Sequence, residues 1–488
     1  MVDILILGGV IVTMDPRRRV IEEGGVAVER DRIVDVGTRK EMETKYGARR
    51  VIDATHMVVM PGLFDGHGHA GHGFVKSMGV DEGLWDKTCE KIYSEGTSEE
   101  FWYAEALLTA LERLKSGTTC GVTFFGGGDV MQTDDPKYAT RHCEALEQIG
   151  IREFLAVGPR RPPFPHRYSR WRGSVRRDIM VTFEDHLKTC ESIIREWHKK
   201  ANGRIHICMM FPEKYSSSYT NIFRPFSQEE SRDLVDRAQA VRELTRKYNV
   251  LFAQDGHTMS GTVNFAHEKL GILGPDALLD PCTNITPEEI EICKKTNTKI
   301  VHNPSSYSAI RGRCPVPELI DAGVTVMLGT DGTAPNVGYD MFRIMFHCMH
   351  YQRTHYGDPT YIPPGKTLEM ATIDAARCLG LERELGSIES GKKADLILVN
   401  MFKPHLYPMT KPVHRITYYA NGSDVDTVIV DGEVLMENRV VKTVDESKIL
   451  EMAQQETETM LDRTGLRNLL SVPQQFWGHS RLSGPSTV

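Results

Sequence analysis

Between residues 61 and 384 the chain alternates short apolar runs with longer amphipathic stretches, and this constrains its fold more than any other feature. Strands buried on both faces read as unbroken apolar runs, whereas a helix packed on one side repeats its apolar residues every three or four positions. Eight such runs fall at 58–69, 118–125, 151–158, 204–212, 250–257, 277–284, 298–305 and 324–331. The intervening segments have a helical pattern. Residues 228–249 place Leu234, Ala238, Val241 and Leu244 on one face, and 98–117 opens on Ser98-Glu99-Glu100 and closes on Gly117. Eight strands alternating with helices predict an α/β fold, a (β/α)8 TIM barrel with its chemistry at the C-terminal strand ends.

The ends of the chain read differently. Short strands are expected at 4–12, 25–29 and 32–36, and again at 393–399 and 426–435. The two β-rich ends are expected to meet as one small β-sandwich. The predicted organisation is therefore 1–57 and 385–445 as the two sandwich parts, 58–384 as the barrel, and 446–488 as a terminal helix and polar tail. A chain of 488 residues is long enough for a barrel plus such a module.

A net charge of −7 gives no reason to expect nucleic acid or an acidic membrane as a partner. No stretch approaches the roughly 18 consecutive apolar residues that span a bilayer. The segment Met1-Val2-Asp3-Ile4-Leu5-Ile6-Leu7 lacks the basic start of a signal peptide and reads as a strand. Ten cysteines without a CxxC pair point to reduced thiols and a cytoplasmic location.

The first barrel run ends in Asp65-Gly66-His67-Gly68-His69, and the eighth in Gly329-Thr330-Asp331-Gly332. Residues two apart on a strand point the same way, so His67 and His69 present two imidazoles to one point. Two imidazoles and a carboxylate delivered to one barrel mouth make most of a divalent-metal site. Such an ion lowers the pKa of bound water from about 15.7 to about 7, and Asp331 beside it would take the proton and pass it to a leaving nitrogen. These residues alone predict a metal-dependent hydrolase.

With these motifs the chain resembles the amidohydrolase superfamily, in the branch of chlorohydrolases and of cytosine, guanine and methylthioadenosine deaminases. The resemblance also rests on Pro61-Gly62-Leu63, Ser116-Gly117-Thr118-Thr119 and His302-Asn303-Pro304, and on the run Gly386-Ser387-Ile388-Glu389-Ser390-Gly391-Lys392-Lys393-Ala394-Asp395-Leu396. It covers roughly residues 1–440. It implies one divalent metal, zinc first with iron, cobalt or manganese as alternatives, held by His67, His69, a strand-5 residue and Asp331. It also implies a small-molecule substrate and, with the terminal helix, a homo-oligomer.

The chain departs from that pattern in two places. On strand 5 the expected histidine position falls on Asp255, with His257 two residues later; either could reach the metal, and His257 is the favoured ligand. On strand 6, Pro281 stands where the family has a histidine, and proline has no side-chain donor. The glutamate that deaminases use to protonate a ring nitrogen is missing as well. His302 is the nearest replacement in kind and is read as catalytic beside Asp331. Substrate contacts are expected from Trp171, in the Arg-rich loop after strand 3, and from Tyr307 and Arg311, in the loop after strand 7.

The leading expectation is cleavage of a C–N bond of amide, urea, carbamate or amidine type in a small cyclic or aryl molecule. The alternatives are a deaminase or dechlorinase of an N-heterocycle, and a catalytically impaired relative that only binds a ligand.

Overall fold

The computed structural model describes residues 1–80, 83–127, 130–212, 228–306, 312–333, 337–472 and 476–477. Eight parallel strands follow one another round a single sheet in sequence order. They are Leu63–His69, Thr118–Phe124, Arg152–Val157, Ile205–Met210, Phe252–Gln254, Ala277–Leu279, Lys299–His302 and Val326–Leu328. The first and eighth strands meet where Gly68 bridges Asp331 and the Asp331 N–H donates to the His67 carbonyl at 2.8 Å. From the second strand on, each strand is shorter than its apolar run, because the last residues of the run leave the ladder and build the C-terminal rim. The run 250–257, for example, contributes only Phe252–Gln254 to the sheet.

The intervening helices carry the expected signals. Glu99–Lys115 starts at Ser98, whose hydroxyl accepts the Phe101 N–H at 3.2 Å. Gln228–Tyr248 buries Leu234, Ala238 and Val241. Among the described residues no helix is long and apolar enough to cross a membrane.

The first apolar run is two strands, not one. Met57–Pro61 belongs to a second sheet, and the barrel begins at Leu63. Gly62 makes the transition: its N–H donates to the Asp395 carbonyl, and a Cβ there would lie 2.1 Å from the Thr119 hydroxyl. Only glycine lets the two sheets approach that closely.

The second sheet has nine strands and joins both chain ends, with Leu396–Asn400 running antiparallel to Met57–Pro61. It curls until the turn at Asp31 and Arg32 reaches the segment leading into Leu396–Asn400. There the Ile33 N–H donates to Lys392 and the Ala394 N–H to Asp31, each at 2.8 Å. The enclosed core draws Ile6, Val26 and Ile33 from one end and Leu396, Leu398 and Ile429 from the other.

One buried ion pair ties this sheet to the bottom of the barrel. Arg152, which opens the third strand, donates to both oxygens of Asp395 at 2.7 and 3.1 Å and also pairs with Asp431. The Asp395 carboxylate in turn accepts the Asp431 N–H at 2.8 Å. This interlock explains the Lys393-Ala394-Asp395-Leu396 stretch in structural terms. Arg152→Met leaves the buried Asp395 carboxylate without its cation, while Asp431 keeps Lys393, and should lower stability by about 3–5 kcal/mol, read from the denaturant midpoint. The terminal helix, Glu446–Thr464, buries Ile449, Ala453, Met460 and Leu461 and packs on Glu99–Lys115.

Candidate metal centre

His67 and His69 lie at the C-terminal end of the first strand with their Nε2 atoms 3.1 Å apart. Asp331 Oδ1 is 3.4 Å from the first of these nitrogens and 3.5 Å from the second. All three side chains are buried. Asp65 organises the approach of the two strands. Its Oδ1 accepts the Thr330 N–H at 2.9 Å, and its Oδ2 accepts the Thr330 hydroxyl at 2.9 Å and an Arg113 N–H at 3.0 Å. Gly329 permits the contact, since a Cβ there would stand 2.8 Å from the His67 nitrogen. Asp331 adopts φ +63, a left-handed conformation that aspartate tolerates. Its Oδ1 also accepts the Gly332 N–H at 2.6 Å, and its buried Oδ2 has no hydrogen-bond partner among the described residues.

The hydrogen-bond partners decide where the imidazole protons sit. His69 Nδ1 lies 2.9 Å from the Gly126 carbonyl, which only accepts, so Nδ1 carries the proton and Nε2 is bare. His67 Nδ1 faces the Asp280 carboxylate at 3.2 Å and its Nε2 faces Asp331, so a carboxylate stands at each of its ring nitrogens. Two imidazole nitrogens and a carboxylate oxygen thus converge on one point. Donor atoms about 2.0–2.2 Å from a tetrahedral ion stand about 3.3–3.6 Å from one another, close to the 3.1–3.5 Å seen here. The residues fit a divalent cation.

The electrostatics agree. Burial pushes the Asp331 carboxyl up, but His67 and His69 beside it more than offset this and hold it well below the usual carboxylate range. Burial pushes His67 down, but Asp280 and Asp331 outweigh that and hold it well above an ordinary imidazole. Asp280 is pushed well up by burial, with Asp255 and Asp331 adding repulsion and only His67 opposing. Three carboxylates crowd two imidazoles, which creates a demand for positive charge at their centre.

On strand 5 the structure brings Asp255, not His257, to this cluster. Asp255 Oδ2 is 4.0 Å from His69 Nε2, and the residue groups with His67 and Asp280 at metal-binding spacing. His257 is fully buried in its own loop, with Nε2 2.9 Å from Gln254 Oε1 and Nδ1 3.1 Å from the Thr262 hydroxyl. The ladder ends at Gln254 and Gly256 adopts φ +111, so the chain bends between Asp255 and His257 and the two do not share a face. The expectation that favoured His257 is not met by its position: the structure sets Asp255, the alternative, beside the cluster.

His302 ends the seventh strand, fully buried, with neither ring nitrogen hydrogen-bonded among the described residues. Strand alternation places it opposite Lys299, whose ammonium bonds Asn297 on the outer side. Burial, then Arg313, pushes its pKa down to about 3, so it is a neutral imidazole at working pH.

The Arg-rich loop is a β-hairpin, His166–Arg172 paired with Val175–Val181. Its charges are spent on neighbouring helices and loops: Arg160 on Glu90, Arg167 and Arg176 on Glu95, and Arg170 on Asp135. The Trp171 indole N–H donates to the Glu95 carbonyl at 2.6 Å and its ring lies under the Arg463 guanidinium. The structure thus sets Trp171, expected at the substrate, against Glu95 and Arg463, with no contact to the cluster among the described residues. Tyr307 and Arg311 lie outside the described residues.

Two further residues were not anticipated from the sequence. Asp280 precedes Pro281 and reaches His67 Nδ1 at 3.2 Å. His72 follows His69 by three positions, fully buried, its ring 4.7 Å from the His69 ring and 5.1 Å from that of Trp85. Three histidines within the seven residues after Asp65 were the available signal.

Comparison with known proteins agrees with this geometry. Residues 58–435 match the amidohydrolase family. The chain is 32% identical to the 5'-deoxyadenosine deaminase of Methanosarcina acetivorans, over 95% of this chain and 99% of the relative. It is 29% identical to a 5-methylthioadenosine/S-adenosylhomocysteine deaminase of Thermoanaerobacter pseudethanolicus, over 94% and 100%. Among solved structures, a zinc-bound adenosine deaminase from Xanthomonas campestris superposes with a TM-score of 0.79 at 22% identity, over 94% of this chain and 99% of that one. The zinc-complexed atrazine chlorohydrolase of Arthrobacter aurescens TC1 gives 0.73 at 21%, over 93% and 100%.

Proposed function

Because this chain belongs to the amidohydrolase family, we propose that it is a metal-dependent hydrolase that releases ammonia or an amine from an amino-substituted N-heterocycle. The carrying observation is the triangle of potential ligand atoms, His67 Nε2, His69 Nε2 and Asp331 Oδ1, closed to 3.1–3.5 Å at the barrel mouth. The amidine-type carbon of an aminated ring fits the C–N cleavage expected from the residues, and the relatives named above act on adenosine derivatives. The thiols support a reducing, cytoplasmic setting, as all ten cysteines are buried and free.

His67, His69 and Asp331 would hold the cation, with Asp255 flanking them on the more open side. A divalent ion bound there supplies Lewis acidity that brings water toward ionisation at neutral pH. The chain's own residues do the rest. The unpaired Oδ2 of Asp331 is placed to take a proton from the attacking water and return it to the leaving nitrogen. His302, neutral and unpaired, offers a ring N–H to a substrate nitrogen where relatives use an acid. His302→Gln should lower kcat by about a hundredfold with metal content unchanged, measured by steady-state kinetics beside metal analysis.

A second reading, cleavage of an amide, urea or carbamate, is favoured by the missing deaminase glutamate, since those substrates need no protonated ring nitrogen. One experiment separates the readings. The metal-loaded protein is offered 5'-deoxyadenosine, other aminopurines, aminotriazines, amides and ureas, and ammonia or amine release is measured before and after chelation. The proposal requires chelator-sensitive release from an aminated heterocycle. Turnover of amides or ureas alone favours the second reading, and metal-replete protein with no turnover marks a ligand-binding relative.

A further inference from the structure

We propose that Asp280 is the positioning residue that fixes His67 for metal binding. It would supply, at the end of the sixth barrel strand, support that Pro281 has no side-chain group to give. This rests on the reading that the His67–His69–Asp331 cluster holds a divalent cation.

An imidazole binds a metal only through the nitrogen that lacks a proton, so a partner must hold the proton on the other nitrogen. For His69 that partner is the Gly126 carbonyl at 2.9 Å. For His67 it is Asp280, whose Oδ2 stands 3.2 Å from Nδ1 with both side chains almost fully buried. The approach is oblique, a close charge contact rather than a linear hydrogen bond.

The carboxylate has no competing commitment. Its Oδ1 has no hydrogen-bond partner among the described residues. The backbone of Asp280, by contrast, is pinned: its N–H donates to the Gln254 carbonyl at 3.1 Å, and its own carbonyl accepts the Gly256 and His257 N–H groups at 3.1 and 3.0 Å. A fixed main chain thus carries a buried carboxylate against one imidazole. Such a group is costly to bury unless it has a charged or polarised partner, and a metal-bound imidazole whose Nδ1–H points at it is one. Asp280 then locks the tautomer of His67 and increases the basicity of Nε2, as carboxylates behind metal-ligating histidines do.

The test uses the full-length protein with zinc as the probe. Zinc affinity is measured by chelator competition for wild type, Asp280→Asn, Asp280→Ala and His67→Ala, with the melting temperature of each metal-free protein taken alongside. The His67 ring is followed by 15N NMR. Asp280→Asn preserves shape and should weaken zinc binding by about 10–100-fold. His67 should then lose its single Nδ1–H tautomer, while the metal-free melting temperature stays near wild type. Zinc binding within about threefold of wild type in both Asp280 variants, against its loss in His67→Ala, would overturn the proposal and leave Asp280 a scaffold residue. Failure of the wild type to bind zinc would instead overturn the metal reading on which it rests.

Discussion

His69→Ala removes the bound metal and lowers kcat/KM by about 10³–10⁵-fold, equivalent to about 4–7 kcal/mol of lost transition-state stabilisation. The size of the effect follows from geometry. Among the described residues His69 supplies one of three ligand atoms that meet at 3.1–3.5 Å, and its Nδ1 is already tied to Gly126, so none of the others can take its place without moving. His72 is beside it, but its ring is 4.7 Å away and packed against Trp85. The fold should survive, because the truncation leaves the Asp65–Thr330–Arg113 tie between strands intact. Metal analysis by mass spectrometry, circular dichroism and turnover on the same preparation check all three statements.

Asp331→Asn should lower kcat by about 10²–10⁴-fold even when metal is resupplied to saturation. Asparagine matches the size of aspartate and tolerates the left-handed backbone at φ +63, so the barrel closure through the Asp331 N–H and the His67 carbonyl persists. The amide oxygen can still ligate weakly, but the amide nitrogen cannot accept a proton, so metal affinity and proton transfer are separated. Recovery of full activity on adding excess metal would limit Asp331 to a ligand. A low kcat at full metal occupancy assigns it the proton as well.

The barrel and the two ends of the centre could be read from the chain because both depend on strand periodicity. His67 and His69 share a face by being two residues apart, and Asp331 ends an apolar run that can only be a buried strand. Strand 5 could not be read this way. Only Phe252–Gln254 pairs, and a run that short leaves its phase to the register of its neighbours, so the choice between Asp255 and His257 awaited the fold. Asp280 was hidden for another reason. Its role depends on contact with His67, more than two hundred residues away in the chain, and no local pattern encodes that contact. The hairpin after strand 3 was obscured because arginines occupy positions where a strand usually shows apolar alternation. Their partners, Glu90, Glu95 and Asp135, lie on other elements.

The most direct test is an anomalous difference map from crystals of the metal-replete protein, recorded above and below the metal absorption edge. The account predicts one strong peak about 2.0–2.2 Å from His67 Nε2, His69 Nε2 and the Asp331 carboxylate. No peak there in protein that binds a full equivalent of metal, or a peak ligated by other residues, would contradict it.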